Sequence, residues 1–297
     1  MSVVRVTQPM LVASSLRNLQ GGLNKYADLQ EQLSTGKRVN RASDSPSDAT
    51  GSMRTRVAIS DQNHYVRNAE NGIGWLGTVD TTLSSMADST RRARELGLQG
   101  VSTGTSSVNS REALAVEVDQ IRADLISQAN TTYLGRPVFG GTTAGAAAFD
   151  TTTGAYLGDS GQVMRTVADG VQVRVDMPGT SVVGPDGASL FDDLTTLSTA
   201  LRAGDETSMR TALSNLQGRL NDISTAQATV GASYKRLEQA SQKGQDSVVA
   251  LRTTLSDLED ADLPQTLMNL KMQEVAYQAA LGATSKALQP SLIDFLR

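Results

Sequence analysis

The chain has no cysteine. Thiol nucleophiles, disulfides and sulfur-ligated metals are therefore outside its chemistry. It has one histidine, His64, and no H-E-x-x-H motif or second imidazole to complete a metal or acid–base site. Aromatic residues make up 4% of the 297 residues, with a single tryptophan, so a large compact core is expected to be hard to fill. No stretch approaches the roughly 20 apolar residues that span a bilayer. The first ten residues lack a basic segment followed by an apolar one, so no cleavable secretory signal is expected. The net charge of −4 mixes both signs and offers no basic patch for a phosphate backbone. No cofactor, metal, nucleic acid or membrane is expected as a partner, and no catalytic constellation stands out.

What is present is heptad spacing at both ends. Val12, Leu16, Leu19, Leu23, Tyr26 and Leu33 fall alternately four and three residues apart, with Gln30 in the one polar slot. Leu263, Leu267, Leu270, Glu274, Tyr277, Leu281, Thr284 and Leu288 do the same, and Leu292 and Phe295 are assigned to the same surface. Each set forms one stripe on a helix, the seam that a coiled coil buries. The same spacing also describes the core of an ordinary bundle. Its place at both extremes, with no other long element to cover it, favours packing between subunits.

Local signals divide the rest. The first helix is expected from Pro9 to Thr35, stopped by Gly36. A polar loop follows, and Ser45-Pro46-Ser47-Asp48 opens the next helix. Asn71-Gly72 and Gly74 are expected to interrupt it. A further helix then carries Leu76, Val79, Leu83, Met86, Ala93 and Leu96. Residues 97–108 read as a loop, and Asn109 with Glu112 as the cap pair of a helix bearing Leu114, Val118, Ile121 and Leu125. From Gly135 the helical period disappears. Val163, Arg165 and Val167, then Val171, Val173 and Val175, flank Ala168-Asp169-Gly170 and predict a hairpin. Ser189 caps a run of leucines, Asp205 opens another helix, and Pro264 starts the last.

The expected fold is mainly α: an elongated antiparallel helical rod and coiled coil built from both termini, with a small β-rich tip domain inserted between the arms. The expected domains are 1–42 with 263–297, 43–140 with 189–262, and 141–188. Lys37, Arg38 and Arg41 read as loop charges that meet acidic groups of a neighbouring layer. Asp257, Glu259, Asp260 and Asp262 lack the spacing of a calcium loop and read as a solvated face plus helix-start charges. His64 reads as a partly exposed helix residue.

Residues 33–48, L-S-T-G-K-R-V-N-R-A-S-D-S-P-S-D, resemble the bacterial flagellin family, with Gly36, Lys37, Arg38, Asp44, Pro46 and Asp48 carrying the loop motif. Residues 67–73 (R-N-A-E-N-G-I), 92–96 (R-A-R-E-L) and 256–261 (S-D-L-E-D-A) are similar to further family segments, in the family's order. The resemblance covers roughly residues 1–140 and 225–297. Residues 135–142, with Gly135, Arg136, Phe139 and Gly141, and the ending S-L-I-D-F-L-R are similar to the hook–filament junction branch of the family rather than to the filament subunit. Ser45 and Pro137 depart from the commoner patterns. The resemblance implies a non-enzymatic subunit of the extracellular flagellum, in a ring of about eleven copies between hook-associated protein 1 and the flagellin filament. It further implies terminal helices that fold on assembly, export through the flagellar type III channel, and a cytoplasmic export chaperone on the C-terminal helix. The filament subunit itself, and an adhesin that uses the β-rich tip, are the alternative readings.

Overall fold

The structure, a computed structural model, describes residues 8–102, 107–143 and 145–295, with side chains at 10, 12–102, 107–143 and 145–285. Among the described residues the order is α1 (Gln8–Thr35), α2 (Pro46–Ser102), α3 (Val108–Ala129), β1 (Thr132–Tyr133), β2 (Arg136–Pro137), β3 (Met164–Ala168), β4 (Val171–Arg174), α4 (Thr180–Val183), α5 (Leu190–Ala203), α6 (Glu206–Glu259) and α7 (Leu263–Phe295). The fold is mainly α, with long helices from both ends and two small antiparallel sheets between them. The chain divides into two compact units, residues 1–60 with 248–297, and residues 61–247.

The helix ends follow local chemistry. Ser189 and Asp192 form a reciprocal capping box at the start of α5, and Gly204 closes it in the left-handed conformation at φ 71°. The Asp205 carboxylate accepts the backbone N–H groups of Thr207 and Ser208 at 3.0 and 3.2 Å and so opens α6. One cap differs from expectation. Ser107, not Asn109, caps α3, because Ser107 has the extended backbone of a cap and accepts from the Ser110 N–H.

Helix α2 is not interrupted at Gly72 and Gly74. Each internal glycine costs about 1 kcal/mol relative to alanine. Close packing offsets that cost. A Cβ at Gly72 would lie 2.7 Å from Leu237 and 3.0 Å from Val175, and one at Gly74 would lie 2.5 Å from the Tyr133 hydroxyl. These glycines are contact points, not breaks. The helix also runs to Ser102, into the expected loop, where Gly97 receives Leu197 and Leu213.

The second unit holds one continuous core. Ala69, Leu76, Val79, Leu83, Met86, Ala93 and Leu96 of α2 meet Val118 and Leu125 of α3, the leucines of α5, and Leu216, Ile223 and Val230 of α6. The few aromatics are concentrated here, which corrects the expectation that such a core would be hard to fill. Trp75, Phe139, Phe149 and Phe191 are fully buried. Phe149 stands edge-on to Phe191 with centroids 5.6 Å apart, and Trp75 does the same to Tyr133.

The hairpin forms with Arg165 opposite Val173 and a bulge between Thr166 and Ala168. Val163, Val167, Val173 and Val175 are buried, while Val171, beyond the bulge and beside the turn, is exposed. Two elements were not foreseen: the short helix α4, and a first hairpin whose turn residues Leu134 and Gly135 both have positive φ. Asn130 ties the end of α3 to this region. Its amide oxygen accepts the N–H groups of Ala148 and Phe149, and its amide nitrogen donates to the Phe149 carbonyl.

Candidate assembly surface

In the unit of residues 1–60 and 248–297, the sequence between α1 and α2 forms a clasp with the end of α6. Gly36 turns at φ 70°, and its N–H still reaches the Gln32 carbonyl, ending α1. The backbone then bridges to the other arm. Lys37 pairs antiparallel with Asp260, Arg38 donates its N–H to the Glu259 carbonyl at 2.7 Å, and Ala261 donates to the Gly36 carbonyl at 2.9 Å.

The Glu259 side chain, 7% exposed, sits inside this bridge. It accepts Arg56 Nε and Nη2 at 3.0 and 2.7 Å, and Lys37 Nζ at 3.0 Å. The Arg56 guanidinium, helped by Lys37 and Ser52, holds its pKa at about 2. Glu259 is thus a buried anion, not part of a solvated face. Asp262 is a helix-start charge and accepts the Gln265 N–H at 3.0 Å.

The basic loop residues find acids within the chain: Lys37 at Glu259, Arg38 at Asp48, and Arg41 at Glu31. Asp44 accepts the N–H groups of Asn40 and Arg41, and the Arg41 bond chiefly lowers its pKa. The Ser45 hydroxyl, then Arg38, lowers that of Asp48. Pro46 is the first residue of α2.

Helices α1 and α7 pack on each other. The less exposed positions of α1 run Ser15, Leu19, Gly22, Tyr26, Leu29 and Leu33; those of α7 run Thr266, Leu270, Gln273, Tyr277, Ala280 and Thr284. Both rows alternate by three and four, so both are coiled-coil seams. Half of each row coincides with the heptads read from the sequence. The other half is displaced by one residue on both helices. At four displaced positions the small or polar Ser15, Gly22, Thr266 and Ala280 take the seam while Leu16, Leu23, Leu267 and Leu281 stand outside; Leu19, Tyr26, Leu29, Leu33, Leu270 and Tyr277 stay in the seam.

Val12, Leu16 and Leu23 are exposed, Leu16 by 58%, as are Leu267, Met272, Val275 and Leu281. The side chains of Leu288, Leu292 and Phe295 lie outside the described ones. Gly22 explains the displacement. Gln273 donates to its carbonyl at 2.9 Å, and a Cβ there would sit 3.3 Å from the same amide. Alongside runs an open groove of about 480 Å³, lined by Lys25, Leu29, Asn269, Met272 and others. His64, in the other unit, is exposed, and its ring nitrogen lies 2.8 Å from the Arg67 guanidinium.

The signature at residues 135–142 has a structural basis in the second unit. Gly135 completes the first hairpin turn, and Arg136 reaches the Thr142 carbonyl at 3.4 Å. Phe139 is buried, and its carbonyl accepts the Gly179 N–H at 3.0 Å. Gly141, at φ 69°, lies against Asp159, whose carboxylate accepts the N–H and hydroxyl of Thr142 and the N–H of Gly161. Those bonds, the Thr142 N–H first, lower the Asp159 pKa. Sequence reasoning missed Glu259, Gly22 and Gln273. A glycine and a glutamine within otherwise leucine-rich helices were the available signal.

Residues 6–144 match the bacterial flagellin N-terminal helical region, and residues 213–296 match the bacterial flagellin C-terminal helical region. The chain belongs to the bacterial flagellin family. It is similar to the flagellar hook-associated protein 3 of Escherichia coli (strain K12), at 26% identity over 94% of this chain and 96% of that one. A flagellin of Listeria monocytogenes is also 26% identical, over 88% and 87%. The fold is that of a putative flagellar hook-associated protein from Vibrio parahaemolyticus, with a TM-score of 0.68 and 20% identity over 73% of this chain and all of that one.

Proposed function

We propose that this chain is a structural subunit of the bacterial flagellum that forms the junction between the hook and the filament, as a counterpart of hook-associated protein 3. The observation that carries the reading is the displaced seam. The terminal helices meet through Ser15, Gly22, Gln273 and Ala280, and leave Leu16, Leu23, Leu267 and Leu281 uncovered. Burying one such leucine is worth about 1.5–3 kcal/mol. A row of them on each helix is a surface for further copies of the chain. Match to a hook-associated relative over nearly its whole length, together with the signature at residues 135–142, supports the junction over the filament.

On this reading the copies close into a ring of about eleven. One face seats on hook-associated protein 1, and the other templates flagellin. Residues 1–42 with 263–297 form the inner layer, residues 43–140 with 189–262 the surrounding layer, and residues 141–188 the tip. The exposed Val12 belongs to the assembly row, and Leu288, Leu292 and Phe295 are assigned to it; Leu19, Tyr26, Leu33, Leu270 and Tyr277, also assigned to it from the sequence, lie in the seam within the subunit. The subunit leaves the cell through the flagellar type III channel, with an export chaperone covering the C-terminal helix beforehand. No step is chemical, so no catalytic group is assigned.

Deletion of the gene tests this. Hooks without filaments, with flagellin released into the medium, are the expected result in electron micrographs and in assays of the medium. Hooks with no flagellin in cells or medium would identify the chain as the filament subunit, the reading that the Listeria flagellin similarity favours. Normal filaments would overturn both.

A further inference from the structure

Methionine is among the residue types most often buried, and most of those in the unit of residues 61–247 follow that habit. Met86, Met177 and Met209 are 0%, 8% and 3% exposed, and Met164, at the start of β3, is the exception at 37%. In the other unit every methionine with a described side chain is on the outside: Met10, Met53, Met268 and Met272. Two of them stand together. Met268 and Met272, 57% and 63% exposed, are four residues apart on α7 and so lie one above the other on one face. Leu267 and Val275, also exposed, flank them.

A thioether has a chemistry that leucine lacks. A peroxide transfers one oxygen atom to the sulfur: the O–O bond breaks, the S–O bond forms, and the second oxygen leaves as water. Sulfur is oxidised and the peroxide is reduced. The product, methionine sulfoxide, is polar, and a reductase returns it to the thioether. The chain has no cysteine, so no thiol competes for the oxidant. Around Met272 the oxidised form finds partners. The open groove that Met272 lines also holds Lys25, Gln32 and Asn269, each with N–H donors for a sulfoxide oxygen.

We propose that Met268 and Met272 form a paired oxidation site for peroxides, and that their conversion to sulfoxides turns the uncovered face of α7 from apolar to polar and withdraws it from assembly. The withdrawal rests on the junction reading above; the site itself does not.

Hydrogen peroxide added to the full chain tests the site. Peptide mass mapping is expected to show one added oxygen at Met268 and at Met272 about tenfold sooner than at Met86 or Met209. On a hydrophobic-interaction column the treated chain is expected to elute earlier. A methionine sulfoxide reductase with a thiol reductant is expected to restore its retention. Met268→Leu with Met272→Leu, a volume-conserving exchange, is expected to lose most of the peroxide-induced shift. Circular dichroism verifies that each variant is as helical as the parent. Equal oxidation of this pair and the buried methionines would overturn the site. So would a full retention shift in the doubly substituted chain.

The withdrawal is tested in cells lacking the gene. Met268→Leu with Met272→Leu is expected to restore filaments. Met268→Gln with Met272→Gln, which imitates the polar sulfoxide, is expected to leave hooks bare. Filaments restored equally by both pairs, or by neither, would overturn the withdrawal. Normal filaments before any complementation would instead overturn the junction reading, and the mass map would still decide the site.

Discussion

Residues 61–247 and the unit of residues 1–60 with 248–297 are both built on long helices, yet they are held together differently. In the first, each long helix closes a face onto a shared core, and buried side chains run from Ala69 to Leu237. In the second, Ala49 and Val248 are the only buried hydrophobic residues among the described ones, beside the polar Ser52, Glu259 and Thr266. Helical stability in proteins comes mostly from packing an apolar face. One unit has spent its apolar surface internally; the other half-buries one row of leucines and tyrosines, leaves Leu16, Leu23, Leu267 and Leu281 exposed, and adds a charged clasp. The difference separates a unit that closes its apolar surface on itself from one that leaves part of that surface exposed.

The largest expected effect falls in the packed unit. Leu83→Ala, at a fully buried site, should cost about 3 kcal/mol, read by denaturant unfolding followed through Trp75. Second comes the clasp, where Glu259→Ala should lower the stability of the other unit by about 2 kcal/mol, followed by circular dichroism.

Its pH dependence sharpens the contrast. The folded carboxyl sits at about 2 against 4.5 for the free group. A depressed acid stabilises fully above pH 4.5, and that contribution is lost as pH falls from 4.5 toward 2. Glu259→Ala should remove this component of the acid transition. Third, Gly72→Ala should destabilise by about 1–2 kcal/mol, although alanine is the better helix former, because its Cβ meets Leu237.

Last, Leu16→Ser with Leu23→Ser should change monomer stability by less than about 0.5 kcal/mol per site, while abolishing assembly in sedimentation. Loss of monomer stability comparable to Leu83→Ala would break the comparison.

What was legible in the chain was what is decided locally. Gly36, Pro46, Ser189, Asp205 and Pro264 marked helix boundaries because capping and φ preferences act within a few residues. Gly72 and Gly74 misled because Leu237, Val175 and Tyr133, distant along the chain, decide whether a glycine breaks a helix or admits a neighbour. Only half of the terminal stripe positions fall in the α1–α7 seam, for a related reason. Heptad reading rewards large apolar residues, whereas two helices in close approach favour small ones such as Gly22 and Ala280. Glu259 was unreadable since its burial depends on Arg56 and Lys37 arriving from another arm. Of the family motif, the loop at 36–48 and the segment at 135–142 were visible as patterns, and geometry supplied their reasons.

The second hairpin carries a practical opportunity. Its turn, Asp169-Gly170, is exposed, and nothing stands within 4 Å of where a side chain at Gly170 would begin. The strands below are pinned on the helix by Asn68 and Asn71, through Thr166 and Arg165. A foreign peptide spliced between these two turn residues would meet no core and disturb no cap. The hairpin tip is thus a ready-made display port for a guest epitope.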